Sequence, residues 1–184
     1  MFDLNKKEAG SAVFNNGVAG KAVGVNVTVE KRKVDEPDSY PDYKLVVSDE
    51  SGGMPINQGF YINEADDEKR QTMTYQRVKS IAEAVVPEDF VYPEVNGYID
   101  ALNTLFKVIK ENSDGKKVDV FVSYGYTAKP SKYLGLRMFN FIQKQGASFD
   151  RLKPSNSDIL ERPEADAPKA DGAGTQAKTS GDIW

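Results

Sequence analysis

Neither cysteine nor histidine occurs in the 184 residues. Without cysteine there is no disulfide framework, no thiolate metal site and no cysteine nucleophile, which suits a reducing compartment. Without histidine the commonest general base and the commonest zinc ligand are gone, and with them every Ser-His-Asp or Cys-His triad. Gly20-Lys21 lacks a glycine five residues before Gly20, so there is no phosphate-cradling glycine-rich loop. Asp66-Asp67-Glu68 reads as a helix start rather than a metal site. These absences point away from catalysis, and no metal or cofactor is expected. A run of about 20 apolar residues is also missing, and the first residues, MFDLNKKEAGSAV, carry acids and no signal-peptide stretch. A soluble, cytoplasmic protein is therefore expected.

The formal net charge of −4 at first argues against a polyanionic partner. Its distribution changes that. From Pro154 onward lie six acids (Asp158, Glu161, Glu164, Asp166, Asp171, Asp182) and three bases (Arg162, Lys169, Lys178), which leaves 22 acids and 21 bases in the first 153 residues. The body is near neutral and has room for a local basic groove, while the end of the chain is acidic. The length fits one domain of about 150 residues plus a tail, large enough to bury roughly 70% of its unfolded surface.

Residues 1–20 are small and polar around an Asn15-Asn16-Gly17 turn signal, and Val13, Phe14 and Val18 are placed to pin an N-terminal arm or hairpin to the body. From Lys21 to Val34, the valines at 23, 25, 27 and 29 alternate with Gly24, Asn26, Thr28 and Glu30 and predict a strand ending in Lys31, Arg32 and Lys33. The loop DEPDSYPD follows, then strands over Tyr43–Ser48 and Ile56–Ile62 around Ser51-Gly52-Gly53. The period then changes. Met73, Val78, Ile81, Ala82 and Val85 fall at helical spacing behind an acidic start and before Pro87, and a second helix is expected from Glu94 to Asn112 with a stripe of Val95, Ile99, Leu102, Leu105, Phe106 and Ile109.

Two more strands are expected between Val118 and Gln143, VDVFVSYGYT and LGLRMFNFIQ, around a loop with Lys129 and Lys132. Val118, Val120 and Val122 mark one face. The other carries Phe121, Arg137, Phe139 and Phe141, which need a helix or a ligand to cover them. Three strands, a helical segment and two strands follow the order of the OB-fold, a small five-stranded Greek-key barrel that binds oligonucleotides on strands two and three and on the loops joining strands one to two and four to five. The expected architecture is thus mainly β: an OB-fold-like barrel over residues 21–153 with a helical insertion between strands three and four. A disordered acidic tail occupies 154–184, rich in Ala, Pro, Gly, Ser and Asp.

Aromatic rings for stacking on bases and cations for following a phosphate backbone coincide in those landmarks. Tyr40, Tyr43, Tyr61, Tyr133 and Phe139 are the candidate rings, and Lys31, Arg32, Lys33, Lys129, Lys132 and Arg137 the candidate phosphate partners. The tail ends in the only tryptophan, so Asp182, Ile183 and Trp184 form a candidate tip for a partner pocket that is apolar at its base and ringed by cations.

A barrel with an acidic tail ending Gly181-Asp182-Ile183-Trp184 resembles the single-stranded DNA-binding proteins of replication, those of bacteriophages in particular. The likeness covers domain plan and tail type. It lacks the Pro of the bacterial Ile-Pro-Phe ending and has a single Asp at the tip. The resemblance implies binding of single-stranded DNA with little sequence preference during replication, recombination and repair, in the host cytoplasm if phage-encoded. It further implies recruitment of a polymerase, helicase, primase or nuclease through the tip. The helical insertion is larger than in the minimal barrel, so a homodimer and cooperative assembly on DNA both stay open. The competing expectation is a non-enzymatic phage structural or adaptor protein that uses the barrel to dock other proteins.

Overall fold

The computed structural model describes residues 14–126, 134–138, 142–148 and 151–162. After a turn at Phe14–Gly17 come β1 (Gly20–Lys31), β2 (Tyr43–Ser48), β3 (Ile56–Phe60), α1 (Glu68–Val85), α2 (Tyr98–Asn112), β4 (Lys117–Tyr126), β5 (Leu134–Arg137) and β6 (Ile142–Lys144). The six strands form one antiparallel sheet in the order β3-β2-β1-β4-β5, with β6 also on β4. The protein is mainly β with two helices. The sheet is open, and the expected closed five-stranded barrel is not what forms. Among the described residues β3 pairs with β2 alone and β5 with β4 alone. The last expected strand is broken into β5 and β6, which gives the sixth strand. From Ser123 to Val120 on β4 the partners run from Arg137 to Ile142, so β5–β6 carries two extra residues there. An even insertion keeps the faces in phase, and Met138 and Ile142 both remain in the core.

The first strand departs from its simple alternation in an informative way. Its register against β4 slips between Ala22 and Val25, where Gly24 takes a φ of 68°. Such a bulge inserts one residue and reverses the facing of what precedes it. Ala22 is therefore buried, and Val23, expected inside, is 62% exposed. Asp119, itself buried, accepts the Gly24 N–H at 3.1 Å and lies 3.7 Å from the Lys21 ammonium. The bulge bends β1 so that its first half pairs with β4 and its second half with β2.

Both helices cover one face of the sheet. In α1, Asp67 caps the helix by accepting the Arg70 N–H at 3.0 Å, and Val78, Ile81, Ala82 and Val85 enter the core. Met73, expected on that stripe, is 60% exposed because it lies on the first turns, before the helix meets the sheet. In α2 Leu102, Leu105, Phe106 and Ile109 are buried as the spacing predicts, but the helix starts at Tyr98 rather than Glu94, and Val95, expected on the stripe, precedes it and is 39% exposed. The opposite face of β4 is closed as well, with Phe121 only 5% exposed, so the chain itself covers that ring. Phe14 is buried beside the left-handed turn Asn15-Asn16-Gly17, whose φ values are 49°, 53° and 74°.

The first residues of the stretch expected as a tail, from 154, are attached to the body. Leu152 is buried, and Ile159 forms a bridge with Tyr124 of β4, its carbonyl accepting the Tyr124 N–H at 2.9 Å. Residues up to Arg162 are thus part of the described body. Among the described residues no helix is long and apolar enough to cross a membrane.

Candidate nucleic-acid interface

Where a barrel would close, a groove of about 700 Å³ opens between β3 and β5. Met54, Asn57, Gln58 and Tyr61 line one wall, Leu136 and Arg137 the other, and Arg77 of α1 reaches in between. Among the described residues no aspartate or glutamate lines it. Arg77 is half-buried, sits 5.9 Å over the Phe60 ring and donates to the Met138 carbonyl at 3.3 Å. Loss of water around the guanidinium pushes its pKa down from the ordinary value. A partly dry cation thus lies at the bottom of the groove. Arg137 is also half-buried and among the described residues has no ion-pair partner.

The loop between β1 and β2 is laid against the end of β3. Gly59 makes this approach workable: a Cβ there would stand 3.1 Å from the Pro41 Cβ, too close without a shift of the proline. Asp42 accepts the Ile62 N–H at 2.7 Å and pairs with Arg32 at 3.2 Å. Arg32 also pairs with Asp38 at 3.2 Å and donates to the carbonyls of Pro37 and Tyr40. Its guanidinium is therefore the clasp of this loop and is already neutralised, which removes Arg32 from the phosphate partners. Tyr61, 58% exposed, donates to the Ser39 carbonyl at 3.4 Å, next to Tyr40, which is 52% exposed. Two open rings thus gather at one end of β3.

Comparison of the chain with protein-family models, with curated proteins and with solved structures found no match. The weight falls on the geometry.

The expected site residues divide accordingly. Tyr43 is corrected: it is 7% exposed, its ring stacked on Phe106 at 4.2 Å and its hydroxyl donating to Asn103 at 2.7 Å. It shares parity with Leu45 and Val47, the buried side of β2, and so serves the core. Lys31 and Lys33 are exposed and open on a separate cleft with Arg32. That cleft also carries Glu36, Asp38 and Asp42, so the charges of its described lining balance. On the outer face of β2, Lys44 is paired with Glu30 at 3.2 Å. Tyr61 and Arg137 line the groove, and Tyr40 follows Ser39, whose carbonyl accepts from the Tyr61 hydroxyl. Lys129, Lys132, Tyr133 and Phe139, and the tip Asp182, Ile183 and Trp184, lie outside the described residues.

Arg77 is the site residue that sequence reasoning passed over. A signal existed: it stands four positions before Ile81 and one before Val78, on the side of α1 that turns inward.

Proposed function

We propose that the chain binds single-stranded DNA with little sequence preference, along the groove between β3 and β5, and that it acts without catalysis. The observation that carries this reading is a groove with two arginines, no acid among its described lining residues and an exposed tyrosine at its rim. Bases stacking on Tyr61 and Tyr40 would each contribute about 1–3 kcal/mol, while Arg77 and Arg137 follow the backbone. The strand order lends support. With β4 beside β1, the sequence β3-β2-β1-β4 is a Greek key, and β5 beyond β4 makes it the OB order opened between β3 and β5. On this reading the protein protects exposed strands during replication and recombination, and the acidic end with Asp182, Ile183 and Trp184 recruits replication proteins.

Fluorescence anisotropy with oligothymidine across a salt series tests the proposal. Binding that falls with salt, exceeds binding to duplex and weakens on Arg137→Ala is the expected result. Equal affinity for duplex, or no effect of Arg137→Ala, rejects the groove. The adaptor reading draws on the strand edges that flank the groove, which also suit an added β-strand from a protein. It would be favoured by a protein whose oligothymidine binding is absent at low salt.

A further inference from the structure

The hydrogen bond from Arg77 to the Met138 carbonyl does not end the seam between α1 and the β5–β6 run. On its far side a second cleft of about 600 Å³ opens, again between α1 and a strand, with Tyr75, Lys79 and Ser80 on one wall and Lys144 and Arg151 on the other. The single acid among its described lining residues, Glu83, is 3.6 Å from Lys79, whose ammonium also lies 3.1 Å from the centre of the Tyr92 ring. That pair is satisfied internally. Lys144 and Arg151 are exposed and have no ion-pair partner among the described residues.

Neither cation is on loosely held backbone. Lys144 is in register with Val118 on β4. The N–H of Arg151 donates to the side-chain oxygen of buried Gln143 at 2.9 Å, and the next residue, Leu152, is buried. Tyr75 adds a ring that is 38% exposed. The second cleft thus repeats the chemistry of the first, an open tyrosine with cations on a fixed frame. Gln76 and Arg77, neighbours on α1, line the second cleft and the first groove respectively.

We propose that a single strand lying in the β3–β5 groove continues over α1 at Arg77 into this second cleft. There Tyr75 offers a stacking surface, and Lys144 and Arg151 neutralise two further phosphates. This extension rests on the single-strand reading of the first groove and lengthens the footprint it implies.

The test compares two oligothymidines, about 6 and about 16 nucleotides long, the span of footprints seen on single-strand-binding sheets. Binding of wild-type protein and of the double variant Lys144→Gln/Arg151→Gln is followed by anisotropy against salt. For the long oligomer the log–log salt slope is expected to shrink by about 1.4, from about 0.7 per phosphate contact on a single strand. For the short oligomer the variant should match wild type. Tyr75→Ala should weaken only the long oligomer, with its salt slope kept. All three side chains are on the surface, and an unchanged melting temperature certifies the fold. An unchanged slope with the long oligomer, or equal losses at both lengths, overturns the extension while leaving the first groove standing. Failure of wild-type protein to bind either length removes both.

Discussion

Arg77 is a charge set among positions that otherwise feed the core. Its guanidinium lies 5.9 Å over the Phe60 ring and the side chain lines the groove, so an apolar side chain of similar length tests packing apart from charge. Arg77→Met keeps an apolar stem of similar length while removing the cation and its bond to Met138. Stability in urea is expected to stay within about 1 kcal/mol, since exchanging a partly buried charge for a packed apolar group is often neutral. Affinity for oligothymidine is expected to fall several-fold at low salt. A parallel loss of both would make Arg77 a packing residue. Asp49 offers a second residue-level test. Slight burial pushes its carboxyl up, but bonds from the Ser51 hydroxyl, the Asn15 N–H at 2.6 Å and the Ser51 N–H at 3.0 Å outweigh this and hold the pKa below the ordinary value. A lowered folded-state pKa means the unfolded chain takes up the proton first. The contribution of Asp49 is therefore complete above about pH 3.9 and is lost as pH falls through its folded-state value. Asp49→Asn should give a flatter acid limb of the stability curve than wild type, read from urea midpoints between about pH 5 and 2. The burial of Tyr43 is legible in the sequence, because its parity with Leu45 and Val47 points inward.

At the level of elements, the helices were legible because their stripes, the Asp67 cap and the Pro87 stop agree with one another. The strands were legible as segments but not in their facing. Nothing in VGVNV announces that Gly24 adopts a left-handed conformation and inserts a residue, since the same string also fits a regular strand. The break between β5 and β6 likewise depends on what β4 offers opposite Met138, a tertiary matter. The bulge makes a clear prediction. Gly24→Ala forces an L-residue into a φ of 68° and sets its Cβ 3.0 Å from the Gln145 amide nitrogen, which can swing aside. The backbone term remains, and a loss of about 1–2 kcal/mol in urea unfolding is expected. No loss would mean that the bulge relaxes into a regular register.

For the whole molecule, composition located the acidic end, but Ile159, in a stretch too sparse in apolar residues to show periodicity, is bridged to Tyr124 of the body. Sequence order suggested the fold class, and the open gap between β3 and β5 became visible only with Arg77 in place. The bridge at Ile159 changes how the tail should be tested. Removing residues 163–184 takes away Glu164, Asp166, Asp171 and Asp182 against Lys169 and Lys178, while sparing the bond between Ile159 and Tyr124. If the acidic end competes with DNA for the groove, this truncation tightens oligothymidine binding at low salt, and weaker or unchanged binding discards the competition. Cutting at Pro154 would confound affinity with lost packing.

The contact from Gly24 to Asp119 joins positions 95 apart along the chain. During synthesis, at roughly 5–20 residues per second, the first half of β1 waits about 5–20 s for its neighbour to leave the ribosome. Through that interval the ribbon with Val23 and Val25 stays unpaired, and Lys21 and Gly24 within it are the kind of residues that keep such a ribbon from sticking to its copies.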